Sequence, residues 1–133
     1  MKQTEVTENS SQRAILLIAH GSRRAEANAD LRQLAEMIKH RFPDSIIEYS
    51  YLELAEPDIP AGAKACVEKG ASEVQMFPYF LSAGTHVQQD LQEFKAQFEA
   101  EYPQVQFEVC PHLGLHPMMV DIVIDRLNQS ISS

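Results

Sequence analysis

Residues 14–19 read Ala-Ile-Leu-Leu-Ile-Ala, an unbroken apolar run between a polar segment and the dipeptide His20-Gly21. Both sides of such a strand are apolar, so both must be covered by other elements, as in the central strands of parallel sheets. The run therefore favours a sheet with helices packed on both faces. A chain of 133 residues is long enough for one such domain with a single core.

Strands and helices alternate along the rest of the chain. Apolar runs predict strands over residues 14–19, 46–52, 73–79 and 105–110, and helical spacing predicts helices over 25–41, 57–69, 85–100 and 117–127. This alternation predicts an α/β fold: a single-domain, flavodoxin-like three-layer sandwich with a four-stranded parallel sheet in the order 2-1-3-4. We expect residues 13–133 to form this domain and residues 1–12 to form a flexible N-terminal tail.

The last strand and the last helix each have a distinctive pattern. Val105, Phe107 and Val109 alternate with polar residues, which indicates a strand at the edge of the sheet. The apolar residues of the last helix recur on one side, which we expect to pack against the core. They are Val120, Val123, Ile124 and Leu127.

The chain carries 19 acidic and 11 basic residues, giving a formal net charge of −8. A general nucleic-acid binder needs a basic stripe, and the sequence has none. No run of about 18 apolar residues occurs, so no membrane-spanning segment is predicted. The first dozen residues are polar and resemble no signal peptide, from which we expect a cytoplasmic protein.

Cys66 and Cys110 are the only cysteines, and they form no Cys-x-x-Cys pair. We therefore expect reduced, buried thiols rather than a disulfide framework or a zinc site. The sequence also lacks the Gly-x-x-x-x-Gly-Lys phosphate loop, the Gly-x-Gly-x-x-Gly dinucleotide motif and the Gly-x-Ser-x-Gly hydrolase elbow. ATP-driven, dinucleotide-dependent and hydrolase chemistry lose support, and no organic cofactor is expected.

Four of the five histidines follow the carboxyl ends of predicted strands, where open parallel sheets bind their ligands. His20 and His86 are the stronger candidates, while His112 and His116 lie near a helix start and are weaker ones. His40 falls at a predicted helix C-terminus, where a cation is favoured, so we interpret it as structural.

His20 directly follows the central strand and precedes Gly21, a position that suits a base or a metal ligand. The alternative is a structural histidine that hydrogen-bonds a loop carbonyl at the strand end. Ser22 is a candidate N-cap for the next helix, and Arg23 and Arg24 place two positive charges beside it.

Residues 85–88, Thr-His-Val-Gln, match a capping box with Thr85 as N-cap and Gln88 at the third helical position. The match predicts His86 in the first helical turn, where the positive helix end disfavours the imidazolium form. Neutral imidazole binds metals and accepts protons, so His20 and His86 could hold one ion while leaving other positions open. Otherwise His86 is a partly buried loop histidine.

Further candidates follow the second and third strands. Glu53 and Glu56 could serve as extra ligands or proton acceptors, although the favoured interpretation of Glu56 is a helpful charge at a helix N-terminus. Gly84 permits close backbone approach, and Phe80 and Leu81 could form an apolar wall for a flat ligand.

Four loop motifs together point to a family. They are residues 20–23 (His-Gly-Ser-Arg), 51–57 (Tyr-Leu-Glu-Leu-Ala-Glu-Pro), 78–87 (Pro-Tyr-Phe-Leu-Ser-Ala-Gly-Thr-His-Val) and 113–117 (Leu-Gly-Leu-His-Pro). In this order they resemble the sirohydrochlorin chelatases of the CbiX and SirB type, the ATP-independent class II chelatases. The resemblance covers about residues 14–127.

The resemblance implies insertion of Co2+, Fe2+ or Ni2+ as the metal substrate into sirohydrochlorin, on the routes to cobalamin, sirohaem or coenzyme F430. It makes His20 the metal ligand and proton acceptor, and His86 the second ligand. It also implies a homodimer, because larger relatives have two such domains in one chain. The expected tetrapyrrole contacts are Glu56, Leu81, Ser82, Ala83, Gly84, Thr85 and His86.

Two other functions remain open from the residues themselves. One is a metal-binding or metal-delivery protein that uses His20 and His86 without catalysis. The other is a phosphotransfer enzyme in which His20 is phosphorylated, since a strand-end histidine beside arginines also suits that chemistry.

Overall fold

The computed structural model describes residues 12–132. The tail predicted over residues 1–12 lies outside this range except for Gln12, which belongs to the folded domain. Its backbone N–H donates to Ser72 Oγ at 2.8 Å, and its side-chain amide donates to the Asp44 carbonyl at 2.8 Å.

The four predicted strands and four predicted helices are all present in the described range, with ends shifted by one or two residues at most positions. The strands are β1 (Arg13–Ala19), β2 (Ile46–Tyr51), β3 (Glu73–Pro78) and β4 (Gln106–Val109). The helices are α1 (Ala25–Arg41), α2 (Ile59–Glu68), α3 (Thr85–Glu101) and α4 (Met119–Ser132). All strand pairs are parallel and the order is β2-β1-β3-β4, which confirms the predicted fold and places β4 at an edge.

β1 is buried on both faces of the sheet, as its apolar run predicts. Leu16 and Ile18 point into a core shared with α2 and α3, and both are fully buried. Leu17 points the other way and packs with Leu31 of α1. α2 lies very close to β1, because a Cβ on Gly62 would be only 2.8 Å from Leu16 Cδ1.

The two faces of the sheet are covered unequally. On one face, α2 packs against β1 and β2 while α3 packs against β4. On the other face, α1 covers mainly β1 and β2, and Phe77 of β3 packs at the side of the cluster that α1 forms there.

α4 differs from its prediction. The sequence pattern predicts that its apolar side packs against the core, but Val120, Val123 and Leu127 are all more than half exposed. The prediction of inward packing is therefore wrong for the isolated chain. Periodicity identifies an apolar side of a helix but carries no information about which surface that side meets.

α2 begins two residues later than predicted. Its N-cap is Asp58, whose carboxylate accepts a hydrogen bond from the Ala61 N–H at 2.9 Å, and the proline in its first turn is Pro60 rather than Pro57. The helix ends at Glu68 with Lys69 as its C-cap, one residue before the predicted cap Gly70, which follows with a positive φ of 101°.

Both thiols are free, as predicted. Burial, reinforced by the nearby Glu48 carboxylate, raises the pKa of Cys66 to about 12. Cys110 is only partly buried, contrary to expectation, although burial still raises its pKa.

Within residues 12–132, the helices lack the length and apolar character that crossing a membrane requires.

Leu16→Ala should lower the free energy of unfolding by about 2–5 kcal/mol, because it removes a fully buried side chain from the centre of the sheet. Met37 on α1 is 65% exposed, so Met37→Ala should change that free energy by less than about 0.5 kcal/mol. Urea denaturation of both variants measures the difference. Equal losses would contradict the central position of β1.

Candidate functional site

The loops that follow β1, β2 and β3 are joined by backbone hydrogen bonds that continue the sheet pairing. The Leu52 N–H donates to the Ala19 carbonyl at 2.9 Å, and the Glu53 N–H donates to the His20 carbonyl at 3.0 Å. On the other side of β1, the Tyr79 N–H donates to the Ile18 carbonyl at 2.7 Å. These three loops therefore form one connected edge.

The loop after β4 is attached to the same edge. The Leu113 N–H donates to the Pro78 carbonyl at 3.1 Å, and the Gly114 N–H donates to the Phe80 carbonyl at 3.0 Å. All four predicted motifs thus meet at the carboxyl ends of the strands, the usual ligand-binding edge of such sheets.

His20 is exposed at the end of β1, and its ring stacks on Phe80 with centroids 4.2 Å apart and planes inclined by 22°. Phe80 itself is 3% exposed, so it supports His20 from below rather than forming a wall for a ligand. Only Leu81 of the predicted apolar wall faces solvent. A stacked ring has restricted orientation, which holds the imidazole nitrogens in a defined direction.

Gly21 lets the first two loops approach each other. Its φ is +94°, and a Cβ at this position would lie 1.8 Å from the Glu53 carbonyl oxygen. Leu54, which follows Glu53, also has a positive φ of 67°, and the sequence around it gives no sign of this.

Ser22 is not the N-cap of α1, contrary to prediction. The N-cap is Arg24, which makes no side-chain capping bond, and Ser22 Oγ instead accepts from the Arg24 N–H at 3.0 Å. Asn28 Oδ1 accepts from the Ser22 N–H at 2.9 Å and fixes the loop. Arg23 is exposed, while Arg24 pairs with Glu26 at 3.1 Å.

The predicted capping box at the start of α3 does not form. The N-cap is Gly84 and makes no side-chain cap, while Thr85 is the first helical residue. Gln88 Nε2 instead donates to the Ala83 carbonyl at 3.4 Å. The shift is one residue, so His86 still lies in the first turn, and its side chain is exposed.

Glu53 and Glu56 are exposed at the end of β2. The side chain that caps α2 belongs to Asp58, and Glu56 lies two residues before it, outside the first turn. The interpretation of Glu56 as a favourable charge near this helix N-terminus therefore stays a prediction, and its exposed carboxylate is also open to a ligand.

The other three histidines lie in the loop after β4 and in the last turn of α1. His112 is partly buried, with its Nε2 3.1 Å from where a Cβ on Gly114 would lie, and it lines a cavity of about 360 Å³ that also includes Ala83. His116 accepts a local bond from the Met118 N–H at 3.1 Å. His40 lies in the last turn of α1, as predicted.

The edge also exposes large apolar side chains from three of the four loops. They are Leu54, Tyr79, Leu81 and Leu115. Exposed apolar groups beside polar ones are typical of surfaces that bind a ligand.

No group of three or more His, Cys, Asp or Glu side chains suited to a metal occurs in the described range, so the edge offers at most two protein ligands of these types to one ion.

Comparison with known proteins gives the family. The model for the CbiX family matches residues 14–130. The chain belongs to the CbiX family. A CbiX-family relative, sirohydrochlorin ferrochelatase of Arabidopsis thaliana chloroplasts, is 34% identical over 89% of this chain and 52% of its own length.

Two solved structures share the fold of this CbiX-family chain. Sirohydrochlorin chelatase SirB from Bacillus subtilis subspecies spizizenii, in complex with cobalt, superposes with a TM-score of 0.80 and 30% identity over 89% of this chain and 50% of that one. A putative cobalamin biosynthesis CbiX protein from Marinobacter aquaeolei gives a TM-score of 0.77 and 26% identity over 90% and 98%.

The chain spans about half the length of the first curated relatives it matches, at 52%, 44% and 38%. Other relatives are about as long as this chain. One is a sirohydrochlorin cobaltochelatase of Sulfolobus acidocaldarius, of which the match covers 92%. The relatives therefore include chains of about this length and chains about twice as long or longer.

Gly21→Ala should lower the free energy of unfolding by about 1–3 kcal/mol more than Gly70→Ala. Both glycines have a similar positive φ, but only at Gly21 does the added Cβ meet backbone, while Gly70 has open space around it. Comparing the two variants therefore separates the cost of the clash with the second loop from the cost of placing a side chain at positive φ. The latter cost is about 1–2 kcal/mol in each variant. Urea denaturation measures both, and equal losses would contradict the close approach.

Proposed function

We propose that this chain inserts a divalent metal, Co2+, Fe2+ or Ni2+, into sirohydrochlorin without ATP. The observation that carries the proposal is His20, exposed and stacked on Phe80 at an edge lined by apolar side chains. Family membership supports it, because relatives bear the names sirohydrochlorin ferrochelatase and sirohydrochlorin cobaltochelatase.

His20 is the proposed metal ligand and proton acceptor. A tetrapyrrole loses two pyrrole N–H protons as the metal enters, so a base must lie beside the ion. A neutral imidazole can first hold the ion and then take one of these protons once the macrocycle replaces it as ligand, while the other proton passes to water. Stacking on Phe80 supports this role because it fixes the plane in which the ring nitrogens lie.

His86 is the proposed second ligand. It is exposed in the first turn of α3, so its ring nitrogens are open to an ion. Two histidines leave most coordination positions open, which suits an ion that must pass to another ligand set. Imidazole binds all three candidate metals, so the ligand type does not select among them.

The substrate is a flat macrocycle with carboxylate side chains. Its face suits the apolar edge formed by Leu54, Tyr79, Leu81 and Leu115. Its carboxylates suit Arg23 and the N-terminus of α3, which lacks a side-chain cap. Local positive groups of this kind can receive an anion despite the net charge of −8. The remaining proposed contacts are Glu56, Ser82, Ala83, Gly84, Thr85 and His86.

His20→Ala should lower the rate of metal insertion at least about a hundredfold, since it removes both the ligand and the base. His20→Phe should be equally inactive, because it keeps a ring that can stack on Phe80 but has no nitrogen. Anaerobic assays with sirohydrochlorin and each of Co2+, Fe2+ and Ni2+, followed by tetrapyrrole absorption, measure the rates.

His40→Ala is the matched control, since it removes an exposed histidine at the far end of α1 and should keep full activity. An active His20→Phe variant would show that the ring serves only in packing. Metal binding by the unmodified protein without any insertion would instead favour a metal-delivery role.

We further propose that the functional form is a homodimer, because relatives of about twice this length contain the matched unit in only half of their chain. The mass in solution should be about twice the 15.0 kDa of one chain. Light scattering during gel filtration checks this, and a mass of one chain at assay concentrations would refute the dimer.

A further inference from the structure

Ser22 is not the helix cap that the sequence predicts, but it is hydrogen-bonded through its N–H, its carbonyl and its hydroxyl oxygen. The N–H donates to Asn28 Oδ1 at 2.9 Å, and the carbonyl accepts from Asn28 Nδ2 at 2.7 Å. The hydroxyl oxygen accepts from the Arg24 N–H at 3.0 Å. The side-chain amide of Asn28 thus binds both backbone groups of Ser22, and we call this pair of bonds the Asn28 clamp.

Asn28 is itself held in place by β2. It is the fourth residue of α1, and its backbone carbonyl accepts a hydrogen bond from the Tyr51 hydroxyl at 2.6 Å. Tyr51 is the last residue of β2, is 2% exposed and belongs to the same buried cluster as Leu17 of β1. The start of α1 is therefore fixed to a buried residue of the sheet, which gives the clamp a rigid base.

Gly21 lies between the clamp and His20. Its φ is +94°, and glycine has more backbone freedom to lose on folding than any other residue, so this conformation has to be held by its surroundings. On one side of Gly21, the His20 carbonyl accepts from the Glu53 N–H at 3.0 Å. On the other side, the clamp fixes Ser22. The backbone is therefore anchored on both sides of Gly21, which keeps the His20 ring over Phe80.

We propose that Asn28 is a positioning residue for His20: its clamp on Ser22 holds the imidazole in the direction that metal binding and proton transfer require. Asn28 itself contacts neither the ion nor the macrocycle and acts only through the loop after β1. The inference rests on the role of His20 in the metal insertion proposed above. A displacement of about 1 Å at a reacting group can lower a rate about a hundredfold, so a clamp outside the site can affect catalysis.

The clamp needs an amide, because it requires a donor and an acceptor side by side. Asn28→Asp keeps the shape and the acceptor for the Ser22 N–H, but it turns a carboxylate oxygen toward the Ser22 carbonyl. Asn28→Ala removes both bonds. A carboxylate near a helix N-terminus is favourable, so Asn28→Asp should remain folded although its clamp is broken.

Binding of sirohydrochlorin should depend little on the clamp. The apolar side chains proposed to meet the macrocycle belong to the other three loops: Leu54, Tyr79, Leu81 and Leu115. Both Asn28 variants should therefore lower kcat at least about tenfold, while KM for sirohydrochlorin stays within about threefold. The matched control is Gly70→Ala, which strains the backbone at the opposite end of the sheet and should leave kcat within about twofold.

NMR of the protein without metal or substrate tests the position of His20 directly. The ring current of Phe80 shifts the imidazole C–H signals of the stacked His20, and the His20→Phe variant identifies those signals by their absence. In Asn28→Ala they should move toward the signals of the exposed His40, because part of the population loses the stacking. In Gly70→Ala they should stay at their positions in the unmodified protein.

In an active protein the proposal requires both changes, so unshifted His20 signals or an unchanged kcat in the Asn28 variants would overturn it. Equal losses of kcat in the Asn28 variants and in Gly70→Ala would also overturn it, because they would show only a general loss of stability. A protein that inserts no metal would refute the proposed function. The NMR signals would then decide by themselves whether Asn28 positions His20.

Discussion

Burial of β1 on both faces is the constraint on which the other elements depend. Leu16 and Ile18 require cover from α2 and α3, while Leu17 requires α1, so helices must lie on both sides of the sheet. Parallel strands in turn need long crossover connections, which the helices provide. The same arrangement brings every strand-to-helix loop to one edge, and this is why all four loop motifs meet there.

The candidate site owes its geometry to contacts between loops rather than to the loops themselves. Gly21 allows the first loop to lie against Glu53, and Phe80 from the third loop supports the His20 ring. A metal ligand held by its neighbours loses little conformational entropy on binding, so a sparse ligand set can still have a defined geometry. The site thus combines exposed imidazole nitrogens with a firmly hydrogen-bonded backbone.

Because helices cover the two faces of the sheet unequally, the described chain leaves apolar surface exposed. α1 covers mainly β1 and β2, and the apolar side of α4, the remaining helix of the described range, stays exposed. Exposed apolar surface on a helix and on a sheet of one chain is unfavourable in water unless something covers both. Cover for such surface is one physical reason to expect the homodimer proposed above.

The sequence by itself determined the elements, the strand order, the central position of β1 and the loops that carry the histidines. These follow from local periodicity and from the few topologies that parallel strands permit. Cap positions were missed by one or two residues at Ser22, Thr85 and Pro57, because several nearby residues can satisfy the same end groups. The tertiary structure alone decided that Phe80 lies beneath His20 and that the apolar side of α4 stays exposed among residues 12–132. Both depend on contacts between segments distant in sequence, which no local pattern encodes.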